Sequence, residues 1–305
     1  MKRLIITADD FGLDEAVNAA VEQAHREGVL SAASLMVGAP AAADAVRRAR
    51  RLPGLKVGLH LVLVDGVALS PAAEIAGLAG AGGALGKNLF LAGLRFFLLP
   101  EVRRALAKEI RAQFAAFRAT GLALDHVNAH KHIHLHPTVA RLVIAIGGEF
   151  GLRAIRIPEE PVSVLSRAFP EERYRQPFYA LWASRLRARA GGLLTNDHLF
   201  GLAWSGAMVE ERLLRLLPHL PPGTSEIYFH PAVARSPAFE SAMPLYRPRE
   251  ELEALLSPRV ARRIAELGIS LSGYGDLAAD ARPSALRPGA SGPTVAAQDQ
   301  AAKGG

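Results

Sequence analysis

The sequence lacks cysteine altogether, and this absence excludes several classes of protein. No disulfide framework, cysteine-based zinc ribbon, iron–sulfur cluster or thiol nucleophile is possible, so any metal ion must be held by histidine and carboxylate side chains. Aromatic residues are also few, at 6% of the chain. The 305 residues are nevertheless 50% hydrophobic and 21% charged, which excludes a wholly disordered chain and provides enough apolar material for a sizeable core.

Long hydrophobic runs are missing as well. After Met1-Lys2-Arg3 the N-terminus has only three apolar residues, Leu4 to Ile6, too few for the apolar region of a signal peptide. We therefore expect a cytoplasmic protein. The longest apolar run, Leu89 to Leu99, is interrupted by Arg95 and falls short of the ~20 residues that a membrane-spanning helix needs. This run could lie on the inner face of the membrane as a peripheral contact, but it could not cross the bilayer.

The net charge of +7 comes from 36 Lys and Arg against 29 Asp and Glu. Its densest clusters, Arg47 to Arg51 and Arg185 to Arg189, contain no interleaved aromatic residues and no motif that reads DNA. We interpret both clusters as solvated helix faces and expect no nucleic-acid partner.

Short β-like runs alternate with longer helical stretches, which is typical of a parallel sheet with crossover helices. Seven or eight mostly parallel strands predict an α/β fold of the distorted (β/α) barrel type, similar to a TIM barrel. A doubly wound open sheet remains the alternative. The strand candidates are Arg3–Ala8, Leu30–Val37, Leu55–Val64, Leu122–His130, Ala154–Ile157, Leu193–Leu202, Ser225–His230 and Ile269–Ser272.

One catalytic domain is expected over residues 1–280. The stretch from Gly66 to Leu99 is rich in Ala, Gly and Leu without a clean period, which predicts an insertion at the rim of the active site. Residues 281–305 are poor in large apolar side chains and punctuated by Pro and Gly, so they are predicted to form a disordered tail.

Histidine is concentrated in one short segment. Imidazole is a common metal ligand. In an extended strand alternate residues point to the same side, so three of these histidines could share a face and two could reach one ion. Others could cap the helix that Pro137 opens, or bind substrate hydroxyls. Five of the ten histidines lie within eleven residues: His126, His130, His132, His134 and His136.

Two carboxylates follow the first strand. Asp9 and Asp10 therefore belong to its C-terminal end, where the loops of a (β/α) barrel build active sites. Adjacent residues point in opposite directions, so one carboxylate could bind a cation while its neighbour faces water or substrate. Helix capping is the alternative role. His60 lies in the apolar strand VGLHLVLV. Together with Asp10 and one histidine of the cluster, it would give the ligand set of a hydrolytic metal site with open positions.

His230 and Arg156 end two later strands. His230 precedes Pro231, which keeps the chain extended at that point, and its imidazole is suited to donating a proton to a leaving group near neutral pH. Arg156, in AIRIPEEP, could hold a carboxylate or a substrate oxygen, with a surface salt bridge as the alternative.

Four ordered motifs carry a family resemblance: ADDFGL at Ala8–Leu13, GLHL at Gly58–Leu61, HVNAHKHIHLHP at His126–Pro137, and FHP at Phe229–Pro231. Their wording, order and spacing resemble the YdjC-type carbohydrate deacetylases over nearly the whole chain before about residue 281. The NAHKH wording resembles the hopanoid-biosynthesis-associated branch, because the chitooligosaccharide branch usually has Asp-Ser or Asp-Gly in place of Asn-Ala. Alanine also replaces the glycine that commonly follows His-Pro in the family.

The resemblance implies a (β/α)-barrel-like fold and metal-dependent removal of an N-acetyl group from an amino sugar, with an N-acetylglucosaminyl hopanoid or related glycolipid as substrate. It assigns Asp9 as general base and His230 as general acid. The cofactor would be one divalent ion such as Mg²⁺ or Zn²⁺. The implied metal ligands are Asp10, His60 and His130, and the candidate substrate-binding residues are Arg156, His132, His134 and Asn128.

Two other functions remain open at this level, because the ligand set specifies a cation and a water more clearly than the bond that is cleaved. One is hydrolysis of a phosphoester, and the other is a non-catalytic sugar- or metal-binding protein of the same fold. The sequence also leaves open whether the chain forms a homodimer.

Overall fold

The computed structural model describes residues 1–174 and 177–280, so the tail predicted for residues 281–305 lies outside the described residues. The strands are β1 (Lys2–Phe11), β2 (Ala32–Leu35), β3 (Lys56–Leu61), β4 (Val127–Ala129), β5 (His198–Phe200), β6 (Gly223–Phe229) and β7 (Ser270–Leu271). The helices are α1 (Glu15–Glu27), α2 (Ala42–Ala49), α3 (Leu89–Leu98), α4 (Pro100–Ala119), α5 (Pro137–Glu149), α6 (Val162–Ala168), α7 (Pro177–Arg189), α8 (Glu210–Leu216), α9 (Pro237–Ala242), α10 (Pro248–Leu256), α11 (Pro258–Glu266) and α12 (Tyr274–Asp280).

The strands form one parallel sheet with β1 at its centre. Its order is β4-β3-β2-β1-β6-β5, and β7 pairs with the beginning of β1. Eight consecutive residues of β1, Leu4–Phe11, are buried, as expected for a parallel strand that is covered on both faces. β1 therefore carries its C-terminal residues into the interior of the molecule.

The sheet curls toward closure. Beyond β4, single bridges pair Val127 with Ile155 and Ala154 with Leu194. From the opposite edge, the N–H of Leu199 in β5 donates to the carbonyl of Glu159 at 2.8 Å. The result is a distorted, incompletely closed barrel, which confirms the predicted fold class and rules out the doubly wound open sheet.

Several strands are shorter than predicted. Leu122–His130 contributes only Val127–Ala129, and Ala154–Ile157 makes only single bridges. At Ile157 the side-chain amide of Asn196 takes the place of backbone hydrogen bonds to a neighbouring strand. Its oxygen accepts the Ile157 N–H at 2.7 Å, and its nitrogen donates to the Ile157 carbonyl at 2.8 Å. Apolar runs indicate burial, and burial does not require regular hydrogen bonding between strands.

The helices pack on the outside of the sheet through periodic apolar faces. Asp14 precedes α1 and caps it, because its carboxylate accepts the Val17 N–H at 2.8 Å. The buried positions Val17, Ala20, Val21 and Ala24 of α1 follow helical spacing and lie on the core. This helix fixes the chain directly after Asp9 and Asp10.

Tyr274, the first residue of α12, closes the N-terminal end of the barrel. Its ring is fully buried and belongs to a small cluster with Ile5, Ala32 and Ala154. Its hydroxyl donates to the carboxylate of Glu226 at 2.6 Å. With this end filled by side chains, the C-terminal ends of the strands are left to form a site.

The predicted insertion, residues 66–99, contains two 3₁₀ turns, Ala72–Ile75 and Ala81–Gly83, followed by α3. The buried carboxylate of Glu109, on α4, accepts the N–H groups of Leu69 and Ser70 at 2.8 and 2.9 Å. These charge-assisted bonds fasten the beginning of the insertion to the body of the molecule.

Candidate metal centre and catalytic cavity

The strand ends bring the predicted chemistry together. Asp9 and Asp10 lie at the end of β1, His60 in β3, His130 directly after β4, and His230 directly after β6. In the β3–β4 register His60 pairs with Asn128, so the imidazole and the histidine-rich segment are neighbours. One edge of the barrel therefore collects all five residues.

Asp10, His60 and His130 each offer a ligand atom, and these atoms lie within 4.8 Å of one another. Asp10 Oδ1 is 3.1 Å from His60 Nε2 and 3.3 Å from His130 Nδ1. Among the described residues, Asp10 Oδ2 is buried without a hydrogen-bond partner. An unpartnered buried carboxylate oxygen beside two imidazole nitrogens fits a divalent cation, and this donor set is one that zinc accepts.

The backbone at Asp10 supports a functional role for this residue. Its φ is 58°, in the left-handed region that residues other than glycine rarely adopt. Burial raises the pKa of the Asp10 carboxyl, but His130 and His60 outweigh this effect and hold the pKa well below its usual range. Asp10 is therefore ionised, and its backbone conformation is typical of functional sites.

Asn128 orients both His60 and Asp9. Its Oδ1 lies 2.7 Å from His60 Nδ1 and can only accept, so Nδ1–H donates to the amide and Nε2 is the nitrogen that faces Asp10. Its Nδ2 donates to Asp9 Oδ1 and to the Ser34 hydroxyl, each at 3.0 Å. Asn128 is fully buried, and these contacts make it a positioning residue for both side chains. Its contact with substrate stays a prediction.

Arg156 is used entirely inside the protein. Its guanidinium donates to the two oxygens of Asp9 at 2.5 and 3.0 Å and to Glu226 at 2.8 and 3.0 Å. Arg156 therefore holds carboxylates inside the protein and does not form a surface salt bridge. Its side chain has no exposed surface in this structure. Burial raises the pKa of Asp9, but Arg156 outweighs this effect and lowers the pKa below its usual range.

The histidine cluster does not continue as a strand. His130–Leu135 is a 3₁₀ helix, and Lys131 and His132 both have φ of 53°, so alternate histidines do not share a face. His134 is fully buried, and its Nε2–H donates to the Arg156 carbonyl at 3.0 Å. Burial lowers the pKa of His134 to about 3, so the ring is neutral. His134 therefore supports Arg156 from inside the protein, and its contact with substrate stays a prediction.

His126 and His136 have no place in the metal centre. His126 lies between the Ser34 hydroxyl and Asp125, at 3.0 and 2.9 Å. His136 packs edge-on against Phe96 of α3, with ring centroids 5.9 Å apart.

His230 approaches the centre from the other side. Its Nε2 is 4.0 Å from Asp10 Oδ2, and its backbone N–H donates to the buried carboxylate of Glu251 at 2.5 Å. Tyr228 and Tyr246 contact the imidazole edge-on. Burial lowers the pKa of His230. Sequence reasoning missed Glu251 and also Glu226, although a carboxylate inside the apolar run of β6 was a signal for the latter.

A cavity of about 300 Å³ opens over these groups, and a groove of about 650 Å³ adjoins it. His132 lines both spaces, so a contact with substrate remains a prediction for this residue. Leu89, Lys131 and Tyr179 are the other residues that line both. The cavity's lining includes Asp9, His60, His130, His132, Tyr228, His230 and Tyr246.

Fold and site together define an α/β barrel protein with a candidate Asp-His-His metal centre at the C-terminal ends of its strands, flanked by a buried carboxylate and a histidine. A family model described as YdjC-like protein matches residues 3–266. The chain therefore belongs to the YdjC-like protein family, as its motifs predicted.

Named relatives of this family are similar along most of the chain. A carbohydrate deacetylase from Geobacillus stearothermophilus is 29% identical over 272 residues, covering 88% of this chain and 96% of that protein. A chitooligosaccharide deacetylase from Enterobacter sp. (strain 638) is 32% identical over 284 residues, covering 90% and 99%. The crystal structure of a proposed cellobiose-phosphate cleavage protein from Enterococcus faecalis V583 has a TM-score of 0.71 at 24% identity, covering 90% of this chain and 98% of that one. This last similarity concerns the fold.

Proposed function

We propose that the protein is a metal-dependent deacetylase that hydrolyses the N-acetyl group of an amino sugar. The observation that carries the proposal is the shared cavity: Asp9 and His230 line the same space as His60 and His130, two of the three candidate ligands. Deacetylase relatives that are similar over most of the chain support the same reaction class.

The ligands would be Asp10, His60 and His130, with one divalent cation as cofactor. When bound, such an ion polarises a carbonyl oxygen and makes a water molecule more acidic. Two imidazole nitrogens and a carboxylate suit Zn²⁺ better than Mg²⁺, which prefers oxygen ligands.

The remaining chemistry belongs to the chain's own residues. Asp9, kept ionised by Arg156, accepts a proton from the attacking water as the new carbon–oxygen bond forms. The amide carbon–nitrogen bond then breaks, and His230 supplies the proton that the departing nitrogen requires. The products are acetate and a free amino sugar.

We further propose that the amino sugar is carried by an apolar lipid, as in a hopanoid glycolipid. The support for this is the groove beside the catalytic cavity, which is lined mainly by apolar side chains and shares residues with that cavity. A sugar in the cavity would place an attached lipid in the groove. An enzyme of this kind would act in the cytoplasm at the inner face of the membrane.

The test is product analysis with the metal-loaded enzyme. Acetate release from N-acetylglucosaminyl oligosaccharides and lipids is expected, without phosphate release from amino-sugar phosphates. Asp9→Asn should abolish acetate release and retain the metal, as measured by elemental analysis. Phosphate release alone would support the phosphoesterase, and tight sugar binding without turnover would support a non-catalytic binding protein.

A further inference from the structure

The outer face of α3 is an exposed apolar surface. Phe90 is 82% exposed, Phe97 59% and Leu98 57%. An apolar patch of this kind on a surface commonly marks a contact with a protein or a membrane. The exposed large apolar residues of the helix are Leu89, Phe90, Leu91, Leu94, Phe97 and Leu98.

The α3 helix that carries these exposed side chains is held in place by several contacts. Asn88 caps α3 by accepting the Leu91 N–H at 3.0 Å, and Phe96 is buried against the ring of His136. The Arg95 guanidinium donates to the carbonyl of Gly77 in the insertion. One side of α3 is therefore packed against the protein, and the exposed apolar side chains lie on its other side.

α7 lies across the groove from α3. Its Tyr179 and Trp182 line the groove together with α3, and Tyr179 and Leu181 are exposed. We name residues 87–99 and 177–189 the α3–α7 face. These two segments contain no Asp or Glu. Of their basic residues, Lys87 lies 3.7 Å from Asp65 and Arg187 lies 2.9 Å from Glu159, so both are paired with carboxylates outside the face. The basic side chains at the groove are Arg185, which stacks on Trp182, and Arg189, which donates to the Pro137 carbonyl.

We propose that the α3–α7 face binds the surface of an anionic lipid bilayer, with its apolar side chains at the headgroup boundary and its basic side chains among the headgroups. Apolar and basic residues without acidic ones are the composition of interfacial membrane elements. No helix in the described part of the chain is long and apolar enough to cross a membrane, so the contact is peripheral. The groove within this face leads to the catalytic cavity.

Charge favours a bilayer over a second copy of the chain. In a two-fold dimer built on this face, the same patch would meet itself and bring basic residues opposite basic residues. An anionic headgroup layer is complementary to them. The proposal concerns a surface apart from the reacting groups and does not depend on the deacetylase assignment.

The experiment is co-sedimentation of the full chain with vesicles of phosphatidylcholine alone or of equal parts phosphatidylcholine and phosphatidylglycerol. We expect at least about tenfold stronger partitioning onto the anionic vesicles, weakened by added salt. The double variant Phe90→Gln, Leu98→Gln should lose at least about tenfold of that binding, because it removes two exposed apolar anchors while glutamine maintains the helix.

Two further variants keep the result interpretable. Leu271→Gln removes an exposed apolar side chain at the opposite end of the barrel, in β7, and should bind as the wild type does. Arg185→Gln with Arg189→Gln removes the basic side chains beside Trp182 and Pro137 and should reduce only the preference for anionic vesicles. Equal binding to both vesicle types, or full binding by the double variant, would overturn the proposal. So would a dimer in sedimentation velocity that the double variant dissociates.

Discussion

The guanidinium of Arg156 holds the carboxylate of Asp9 through both terminal nitrogens, at 2.5 and 3.0 Å, inside a barrel that gives Arg156 no exposed surface. A two-point contact of this kind fixes the plane of the carboxylate as well as its position. The general base that we propose is therefore oriented from beneath, on the side opposite the cavity.

Replacing Arg156 by lysine should separate the effect of its positive charge on Asp9 from its effect on the orientation of the Asp9 carboxylate. Arg156→Lys retains one positive charge but cannot make the two-point contact, so we expect kcat to fall by about 100-fold while KM changes little. Steady-state kinetics of acetate release measures both constants. Arg48→Lys is the matched control, because Arg48 also bridges two carboxylates, those of Glu22 and Asp44, but lies outside the site. An unchanged kcat in Arg156→Lys would contradict the orienting role.

Asn128 should determine how tightly His60 binds the cation. Asn128→Leu removes the acceptor that holds His60 Nδ1–H, and we expect metal affinity to weaken about 10- to 100-fold. The readout is the rise in unfolding free energy with added metal, about 2.7 kcal/mol at a concentration 100 times the Kd.

Two histidine variants calibrate that measurement. His130→Ala should eliminate the metal-induced stabilisation, and His219→Ala, outside the centre, should preserve it. A wild-type metal response in Asn128→Leu would show that Asn128 does not orient the ligand.

Glu251 predicts a dependence of stability on pH. Burial raises the pKa of Glu251 to about 7, above the ordinary glutamate value. A carboxyl with a raised pKa in the folded state contributes its stability at low pH, below about 4.5, and loses it as the pH rises toward 7. Between pH 5 and pH 8 we expect the wild type to lose roughly 1–3 kcal/mol of unfolding free energy through this group.

Denaturant unfolding of Glu251→Gln at both pH values isolates this loss. The variant should be more destabilised relative to the wild type at pH 5 than at pH 8. Glu253→Gln, on the exposed side of the same helix, should show no such difference. Glu251→Gln should also lower kcat more than it changes KM, because Glu251 accepts the His230 N–H. If Glu251→Gln were equally destabilised at both pH values, Glu251 would not titrate between them and the prediction would be wrong.

The groove predicts a difference between substrates. Gly93 lines it, and a Cβ there would make ordinary contact with His136, so Gly93→Leu should fill part of the groove without disturbing α3. We expect turnover of a lipid-linked substrate to fall at least about tenfold relative to turnover of an acetylated disaccharide. Gly148→Leu adds the same side chain in open space on α5 and should leave that ratio unchanged. An equal loss of turnover on both substrates would contradict the proposal that the groove binds the lipid of the substrate.

Sequence patterns located the residues whose positions follow from topology. Asp9, Asp10, His60 and His230 lie in or directly after apolar runs, and parallel strands of a barrel end at the same edge. These four residues could be grouped without coordinates.

Other features of the site depend on dihedral angles and hydrogen-bond partners that residue spacing does not encode. Positive φ at Lys131 and His132 belongs to the 3₁₀ helix His130–Leu135, so the chain after the predicted strand is not extended and His134 is buried. Asn128 and Arg156 have the chemistry to bind sugar hydroxyls, but the strand order provides each with a buried partner instead.

The phenolic hydroxyl of Tyr274 reaches Glu226, Glu226 reaches Arg156, and Arg156 reaches Asp9, so a side chain from the last described helix and one from the first strand belong to a single line of contacts. During synthesis on the ribosome, the first strand emerges long before its distant supports exist. A nascent chain therefore cannot complete this line of contacts, and so cannot fix the Asp9 carboxylate, until α12 has been translated.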